Sequence, residues 1–230
     1  MSRKYPRPTH PPEQLMLAWQ SASLLLDYPD EELLARLDLI RSASWQLPAP
    51  VGQPIREVVA HLEATPLEEL QADYVETFDS RRRCNLFLTY FAHGDTRKRG
   101  MALLRFKQTY LRSGFLLDAD TAGGGELPDH LCVVLEYAAT VDQELGRTLM
   151  LDHRAGLELL RLSLRDRGSR WAGAVEAVTA TLPPLRGDEM DAVRRLAAEG
   201  PPEEEVGLAP FTVPAADEPL PMPTFPGARA

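Results

Sequence analysis

Residues 13–40 read EQLMLAWQSASLLLDYPDEELLARLDLI, and this stretch predicts two consecutive helices. Its first half repeats apolar side chains at spacings of three and four, the period of one helix face: Leu15, Ala18, Trp19, Ala22, Leu25 and Leu26. Pro29 ends this helix, because the residue before a proline disfavours the helical conformation. The acidic run 30–32 then suits the positive N-terminal end of a second helix.

The same periodicity continues along the chain. Further helices are predicted over the approximate ranges 55–62, 67–78, 96–113, 128–145, 149–164, 171–182 and 188–199. Segment 85–91 is too short to assign by periodicity, and its helical neighbours favour a helix there as well. Residue types that favour helices dominate, and no segment predicts a strand convincingly. The sequence therefore predicts an all-α fold, a single-domain bundle of about nine helices.

The ends and the middle of the chain differ in composition from the predicted helices. Residues 1–12 are rich in proline and are expected to form a flexible leader before an all-helical domain at 13–199. Residues 200–230 include eight prolines and are expected to be a disordered tail. The stretch 115–126, which includes three consecutive glycines, predicts a central hinge loop.

Composition and motifs exclude several classes of protein. No stretch reaches the roughly 18 apolar residues of a membrane span, and the N-terminus lacks a hydrophobic signal core, so we expect a cytoplasmic location. Neither a phosphate-binding glycine loop nor a metal-ligand spacing occurs, and no catalytic or metal-binding residue is assigned. A hydrolase using Cys84 or Cys132 with His93 or His130 has the residue types but no nucleophile motif.

Positive charge is concentrated in one part of an acidic chain. Residues 80–112, which we call the basic band, carry +8 and the rest of the chain −17, giving the net charge of −9. An acidic body disfavours general nucleic-acid binding, although a nucleic-acid-binding helper using the band is the alternative function. The band can also be a solvated face, or its basic groups can flank an apolar groove that takes an amphipathic helix. Physical reasoning alone leaves these last two interpretations even.

A second notable segment is ELPDH, residues 126–130. Pro128 near the first helical position, with Glu126 and Asp129 beside it, is sufficiently explained as the start of a helix. A functional role for this junction is therefore not required by the residues alone.

Two longer stretches carry a family resemblance. Residues 74–114, YVETFDSRRRCNLFLTYFAHGDTRKRGMALLRFKQTYLRSG, and residues 126–139, ELPDHLCVVLEYAA, resemble the signature of the nitrate reductase delta subunit family. This is the NarJ family of molybdenum cofactor assembly chaperones, itself similar to the all-helical, TorD-like and DmsD-like redox enzyme maturation chaperones. The wider group has an acidic-Pro-Asp-His hinge element, which ELPDH resembles with Leu127 inserted.

The resemblance implies a dedicated chaperone and not an enzyme. Such a protein binds the apo catalytic (alpha) subunit of respiratory nitrate reductase through its N-terminal segment. It keeps that subunit competent for insertion of molybdopterin guanine dinucleotide and for membrane assembly. The chaperone would hold no cofactor stably, insert into no membrane and bind no nucleic acid. Proteins of cofactor biosynthesis are further partners to consider.

Together with the residues, the resemblance suggests where the client segment binds. The groove is expected at Tyr74, Phe78, Leu86, Phe87, Tyr90, Phe91, Glu126, Pro128, Asp129 and His130. Glu126 or Asp129 would accept hydrogen bonds from an Arg or Lys of the client. The basic side chains expected to act as handles are Arg81, Arg82, Arg83, Arg97 and Arg99. Their partner stays open among an acidic client surface, the phosphates of the cofactor and the protein's own carboxylates.

Overall fold

The structure is a computed structural model that describes residues 5–117 and 126–200. In these ranges eleven α-helices follow one another: α1 Pro12–Leu25, α2 Glu31–Ser44, α3 Ala49–Ala64, α4 Leu67–Tyr74, α5 Leu88–His93, α6 Arg97–Arg112, α7 Leu131–Thr140, α8 Gln143–Asp152, α9 Arg154–Asp166, α10 Ala172–Ala180 and α11 Gly187–Glu199. A π-helical turn, Val75–Asp79, extends α4, and a 3₁₀ turn, Arg82–Cys84, precedes α5. The predicted all-α fold is confirmed.

Helix α1 lies at the centre of the bundle. It packs against α7, α10, α2 and α3, which explains why its apolar residues extend around more than one face. Two buried polar contacts fix it: Trp19 Nε1 donates to Thr181 Oγ1 at 2.9 Å, and Ser23 Oγ donates to the Cys132 carbonyl at 2.9 Å. Paired polar groups such as these avoid the free-energy cost of buried, unsatisfied donors.

Helix boundaries differ from the prediction between 128 and 166. The two apolar stripes predicted over 128–145 and 149–164 belong to three helices, α7, α8 and α9. Asp142 begins α8, because its side chain accepts a hydrogen bond from the Leu145 amide at 2.8 Å. The chain turns again at His153, between α8 and α9.

The short helix α5 sits where several elements meet. It packs against α6 and α9, and Phe91 on its buried face is 1% exposed. The approach to α9 is close: a Cβ atom on Gly156 would lie 2.7 Å from the Cβ atom of Phe91. Glycine at 156 therefore allows α9 to pack directly on α5, and Phe91 anchors α5 in the core.

The predicted flanking and hinge segments are only partly described. Of the predicted tail, only Gly200 is among the described residues. Residues 118–125 of the predicted hinge loop also lie outside them. In the leader, Tyr5 donates a hydrogen bond to Asp152 and packs against the core. Within 5–117 and 126–200, no helix has both the length and the apolar character that crossing a bilayer requires.

Candidate functional site

The two segments that the sequence singled out, 85–89 and 126–130, lie side by side. Phe87 and His130 form an antiparallel bridge. The Leu88 amide donates to the Asp129 carbonyl at 3.0 Å, and the Leu131 amide donates to the Leu86 carbonyl at 2.8 Å. Residues 85–87 are therefore extended, and the predicted helix is confined to α5. Pairing with the junction before α7 satisfies backbone groups that a longer helix would have satisfied internally.

Asp129 is the buried centre of this junction, with no exposed surface. Its Oδ2 atom accepts from the Thr89 amide at 3.1 Å and from the Thr89 hydroxyl. Arg99 Nη2 lies 3.7 Å from the same oxygen, and Arg99 Nε donates to Thr89 Oγ1 at 3.3 Å. The carboxylate thus acts as the N-terminal cap of α5 and ties α6 to the junction. Asp129 therefore lies where it holds the junction together, and its Oδ1 atom has no hydrogen-bond partner among the described residues.

Pro128 contributes through its backbone. Its side chain is buried, and its carbonyl accepts a hydrogen bond of 2.6 Å from the Tyr110 hydroxyl on α6. Burial, helped by the charge of Asp129, raises the pKa of Tyr110 far above its ordinary value. The phenol therefore stays protonated at physiological pH and can donate this hydrogen bond.

A pocket of about 250 Å³ opens beside the junction. We call it the carboxylate pocket, and its lining residues are Asp27, Tyr28, Tyr74, Phe78, Asp79, Asn85, Leu86, Phe87, Glu126 and His130. Six of these ten were predicted as client-binding residues from the sequence: Tyr74, Phe78, Leu86, Phe87, Glu126 and His130. They come from α4, its π-helical turn, segment 85–87 and the junction before α7. Folding thus brings distant parts of the sequence together around one concave surface.

One wall of the carboxylate pocket is aromatic. The ring of Tyr74 lies 4.7 Å from that of Phe78, 5.5 Å from that of Tyr28 and 5.6 Å from that of Trp171, between centroids. The Tyr74 hydroxyl donates to the Leu26 carbonyl at 3.0 Å. Burial, with the charges of nearby carboxylates, raises the pKa of Tyr74 far above its ordinary value. The Tyr74 phenol therefore stays protonated, and the wall is a closely packed group of aromatic rings.

His130 forms the opposite side of the carboxylate pocket and is 7% exposed. Its ring lies 5.1 Å from the ring of Phe87, and its Nε2 atom lies 3.4 Å from Glu126 Oε1. Burial lowers the pKa of His130 and outweighs the surrounding carboxylates, of which Glu126 contributes most in the opposite direction. The imidazole is therefore neutral near pH 7. Its Nδ1 atom has no hydrogen-bond partner among the described residues.

The remaining predicted residues lie elsewhere. Tyr90 and Phe91 are 5% and 1% exposed and do not line the carboxylate pocket, so they support the site from the core. Arg81 pairs with Glu76 at 2.6 Å. Arg99 pairs with Asp95 at 3.2 Å and lies over the ring of Phe87 at 5.2 Å. Of the predicted basic handles, Arg82, Arg83 and Arg97 are exposed.

Sequence reasoning missed four residues of the carboxylate pocket, Asp27, Tyr28, Asp79 and Asn85. Asp27 and Tyr28 stand before Pro29, where the sequence indicated only the end of a helix. Asp79 closes the π-helical turn, which extends α4 without a local signal that the sequence analysis used. The available signal was a carboxylate or aromatic residue at the end of a helix, which is too common to indicate a site by itself.

Chemistry based on cysteine or metal finds no support in the described residues. Cys84 and Cys132 are buried free thiols, and burial raises the pKa of both, well above its ordinary value for Cys132. A raised pKa reduces the thiolate that a nucleophile requires. Within 5–117 and 126–200, no group of three or more His, Cys, Asp or Glu residues is arranged to hold a metal ion.

Comparison with solved structures indicates the class of fold. A crystal structure of a proposed redox enzyme maturation protein from Archaeoglobus fulgidus superposes with a TM-score of 0.52 at 23% identity, over 78% of this chain and 98% of that one. The family follows from sequence. A model described as the nitrate reductase delta subunit matches residues 45–177, and the chain belongs to the nitrate reductase delta subunit family. The resemblance recognised in residues 74–114 and 126–139 is confirmed.

Two relatives illustrate the breadth of the family. The Bacillus subtilis protein named probable nitrate reductase molybdenum cofactor assembly chaperone NarJ is 34% identical over 172 residues, which cover 72% of this chain and 88% of that protein. The nitrate reductase-like protein NarX of Mycobacterium tuberculosis is 39% identical over 173 residues, which cover 72% of this chain but 24% of NarX. The chain thus corresponds to about a quarter of the length of NarX.

Proposed function

We propose that this protein is an assembly chaperone for a nitrate reductase. It binds the N-terminal segment of the apo catalytic subunit in the cytoplasm and keeps the subunit competent for molybdenum cofactor insertion and membrane assembly. One observation carries the proposal: six residues predicted as client-binding from sequence line the same pocket. Family membership and the names of the relatives, which include molybdenum cofactor assembly chaperones, support the same role.

The carboxylate pocket suits a short segment with both apolar and polar groups. Phe87 is partly exposed and Tyr28 is 46% exposed, so these two rings are accessible to a ligand. Behind them, Tyr74 and Phe78 pack against Trp171 and keep the wall in place. An amphipathic helix that lies across this surface can place one of its side chains in a pocket of this size. Because the wall is already packed, little conformational entropy is lost on binding.

A role without catalysis fits the chemistry of the site. The residues that line the pocket include no activated nucleophile. Among the described carboxylates, only that of Glu126 is within ion-pair distance of the His130 imidazole. In this proposal the molybdenum cofactor is cargo for the client and not a resident group of the chaperone. The chaperone therefore acts by binding alone, and its binding stabilises an ordered client segment until the subunit is complete.

Nucleic-acid binding by the basic band loses support from the structure. Arg81 and Arg99, one from each arginine cluster, form ion pairs with carboxylates of the same chain. An internally neutralised arginine contributes little to the neutralisation of phosphates, on which nucleic-acid affinity depends. The band acts in part as a structural brace between α6 and the junction at 126–130.

Isothermal titration calorimetry with a peptide of the catalytic subunit's N-terminal segment tests the proposal. We expect saturable binding that weakens about tenfold in Phe87→Ala or Tyr28→Ala, since aromatic residues in a pocket carry a large share of binding energy. Trp45→Ala is the matched control, because Trp45 is also an exposed aromatic residue but does not line the pocket. A titration that shows no saturable binding to the wild-type protein would overturn the proposal.

A further inference from the structure

Three carboxylates stand around the carboxylate pocket without a lysine or arginine partner among the described residues. Asp27 follows α1, Asp79 ends the π-helical turn and Glu126 precedes α7. In the described part of the chain, no Lys or Arg lies within ion-pair distance of any of the three, although other acids such as Glu76 and Asp95 have an arginine partner. Like charges gathered around one pocket add to each other, so a cation that enters the pocket is attracted by all three.

The lining offers a second, independent sign of a ligand. His130 is more than nine-tenths buried, and its Nδ1 atom has no hydrogen-bond partner among the described residues. A buried polar atom of this kind costs free energy unless a partner satisfies it. His130 also lines the carboxylate pocket, so the unsatisfied imidazole lies beside the carboxylates, while its Nδ1 atom itself has almost no surface open to the pocket.

The spacing of the carboxylates points to an organic cation. Among the described residues, no group of three or more His, Cys, Asp or Glu side chains is arranged to hold a metal ion, and this includes the acids of the pocket. A guanidinium or ammonium group is larger and donates several hydrogen bonds to separate acceptors. At about 250 Å³, the pocket is smaller than typical sites for drug-sized ligands, which suits a single side chain.

The aromatic wall favours the same ligand. Tyr28, Tyr74, Phe78 and Phe87 present rings to the pocket, and a cation over an aromatic face is attracted by the negative charge density of that face. The protein already uses this contact nearby, where Arg99 lies over the rings of Phe87 and Tyr90. An arginine or lysine stem can lie along the apolar wall while its charged end reaches the carboxylates.

We propose that the carboxylate pocket is the receptor for one cationic group of the bound client segment, with Asp27, Asp79 and Glu126 as its acceptors. This inference rests on the proposed chaperone function and states which chemical feature of the client is read. The aromatic wall holds the apolar neighbours of that group, and the carboxylates set its position along the segment. Asp129 is not part of this receptor, because it is fully buried, does not line the pocket, and its Oδ2 atom is engaged by Thr89 and Arg99.

The test is a double-mutant cycle between peptide and chaperone. Peptides of the catalytic subunit's N-terminal segment are made with each Arg or Lys in turn replaced by Gln, and with an acetylated N-terminus. Each is titrated into the wild-type chaperone and into a variant carrying Asp27→Asn and Asp79→Asn. Both aspartates are exposed, so the variant is expected to fold, and a thermal melt of the variant checks this. Asp166→Asn is the matched control, an exposed aspartate outside the pocket.

We expect one neutralised peptide to bind the wild-type protein at least about tenfold more weakly, with little further loss in the double variant. The three kinds of peptide distinguish guanidinium, side-chain ammonium and terminal ammonium. If the peptide binds and no neutralisation matters, the cation receptor is refuted while the proposed function stands. If neutralisation matters equally in wild type and variant, the cation lies elsewhere and this assignment is wrong. Absence of any binding would overturn both proposals.

Discussion

The basic band and the carboxylate pocket are opposite in charge and also in what their charges do. The band is conspicuous in the sequence, yet Arg81 and Arg99 pair with Glu76 and Asp129 of the same chain. The pocket is inconspicuous in the sequence, yet Asp27 and Asp79 converge there without a basic partner in the described residues. A charge is available to a ligand only when folding leaves it unpaired, however many like charges stand beside it in the sequence.

The largest effect is expected from a substitution in the apolar centre of the basic band. Phe91→Ala removes a ring that packs on α9, and we expect the free energy of unfolding to fall by about 3–5 kcal/mol. Urea denaturation measures the loss, and the fraction that is folded should still bind the client peptide normally. Phe91→Leu is the conservative control and should lose less. If the Phe91→Ala protein were fully stable but bound the peptide more weakly, Phe91 would belong to the client-binding surface and not to the core.

A smaller effect is expected where the band is tied to the junction. Asp129→Asn keeps an acceptor for Thr89 but removes the charge opposite Arg99, and we expect a loss of about 1–3 kcal/mol in unfolding free energy. Chemical denaturation gives this value. The carboxylate pocket should loosen as well, visible as faster amide exchange at Leu88 and Leu131, whose amides bond across the junction. Unchanged exchange together with unchanged stability would show that Asp129 does not hold the junction.

Acid should weaken the protein through the buried imidazole of His130 and two partly buried ones, those of His61 and His93. Burial lowers the pKa of His130, and also of His61 and His93, in the folded state. As the pH falls below about 6.5, the unfolded chain takes up these protons first, so stability falls with pH in that range. His130→Gln should make the decline shallower, by at most about 1.4 kcal/mol per pH unit. Thermal melts between pH 5 and 8 measure the slope, and an identical slope in the variant contradicts this account.

The smallest effect is expected from an exposed arginine of the band. Arg83→Ala should change the free energy of unfolding by less than about 0.5 kcal/mol, because the side chain is exposed. Peptide affinity should stay within about twofold, in contrast to the loss expected from Asp27→Asn with Asp79→Asn. Calorimetry on the two variants in parallel makes the comparison. A larger loss in Arg83→Ala than in the aspartate variant would reverse the roles of the two regions.

Local patterns were sufficient to predict most of the helices. The face Leu15, Trp19, Ala22 is buried in α1, and Gly114, predicted to follow the helix at 96–113, has a positive φ of 72°. Apolar periodicity did not predict the helix ends at Val141 and His153, where the row of apolar residues continues although the chain changes direction. Periodicity reports which residues are buried and does not report the path of the backbone. The helix predicted over 85–91 became partly extended for a tertiary reason, its pairing with 129–131.

The sequence by itself determined the helical class, the family signature and six residues of the candidate site, since these depend on spacing and residue type over short stretches. Only the tertiary structure decided which charges are paired. Asp129 looked like an acid at the start of a helix, but it is buried against Thr89, forty residues away in sequence. Asp27 and Asp79 looked incidental, but folding places them beside Glu126. Coulombic interactions depend on distance in space, and separation along the chain does not encode that distance.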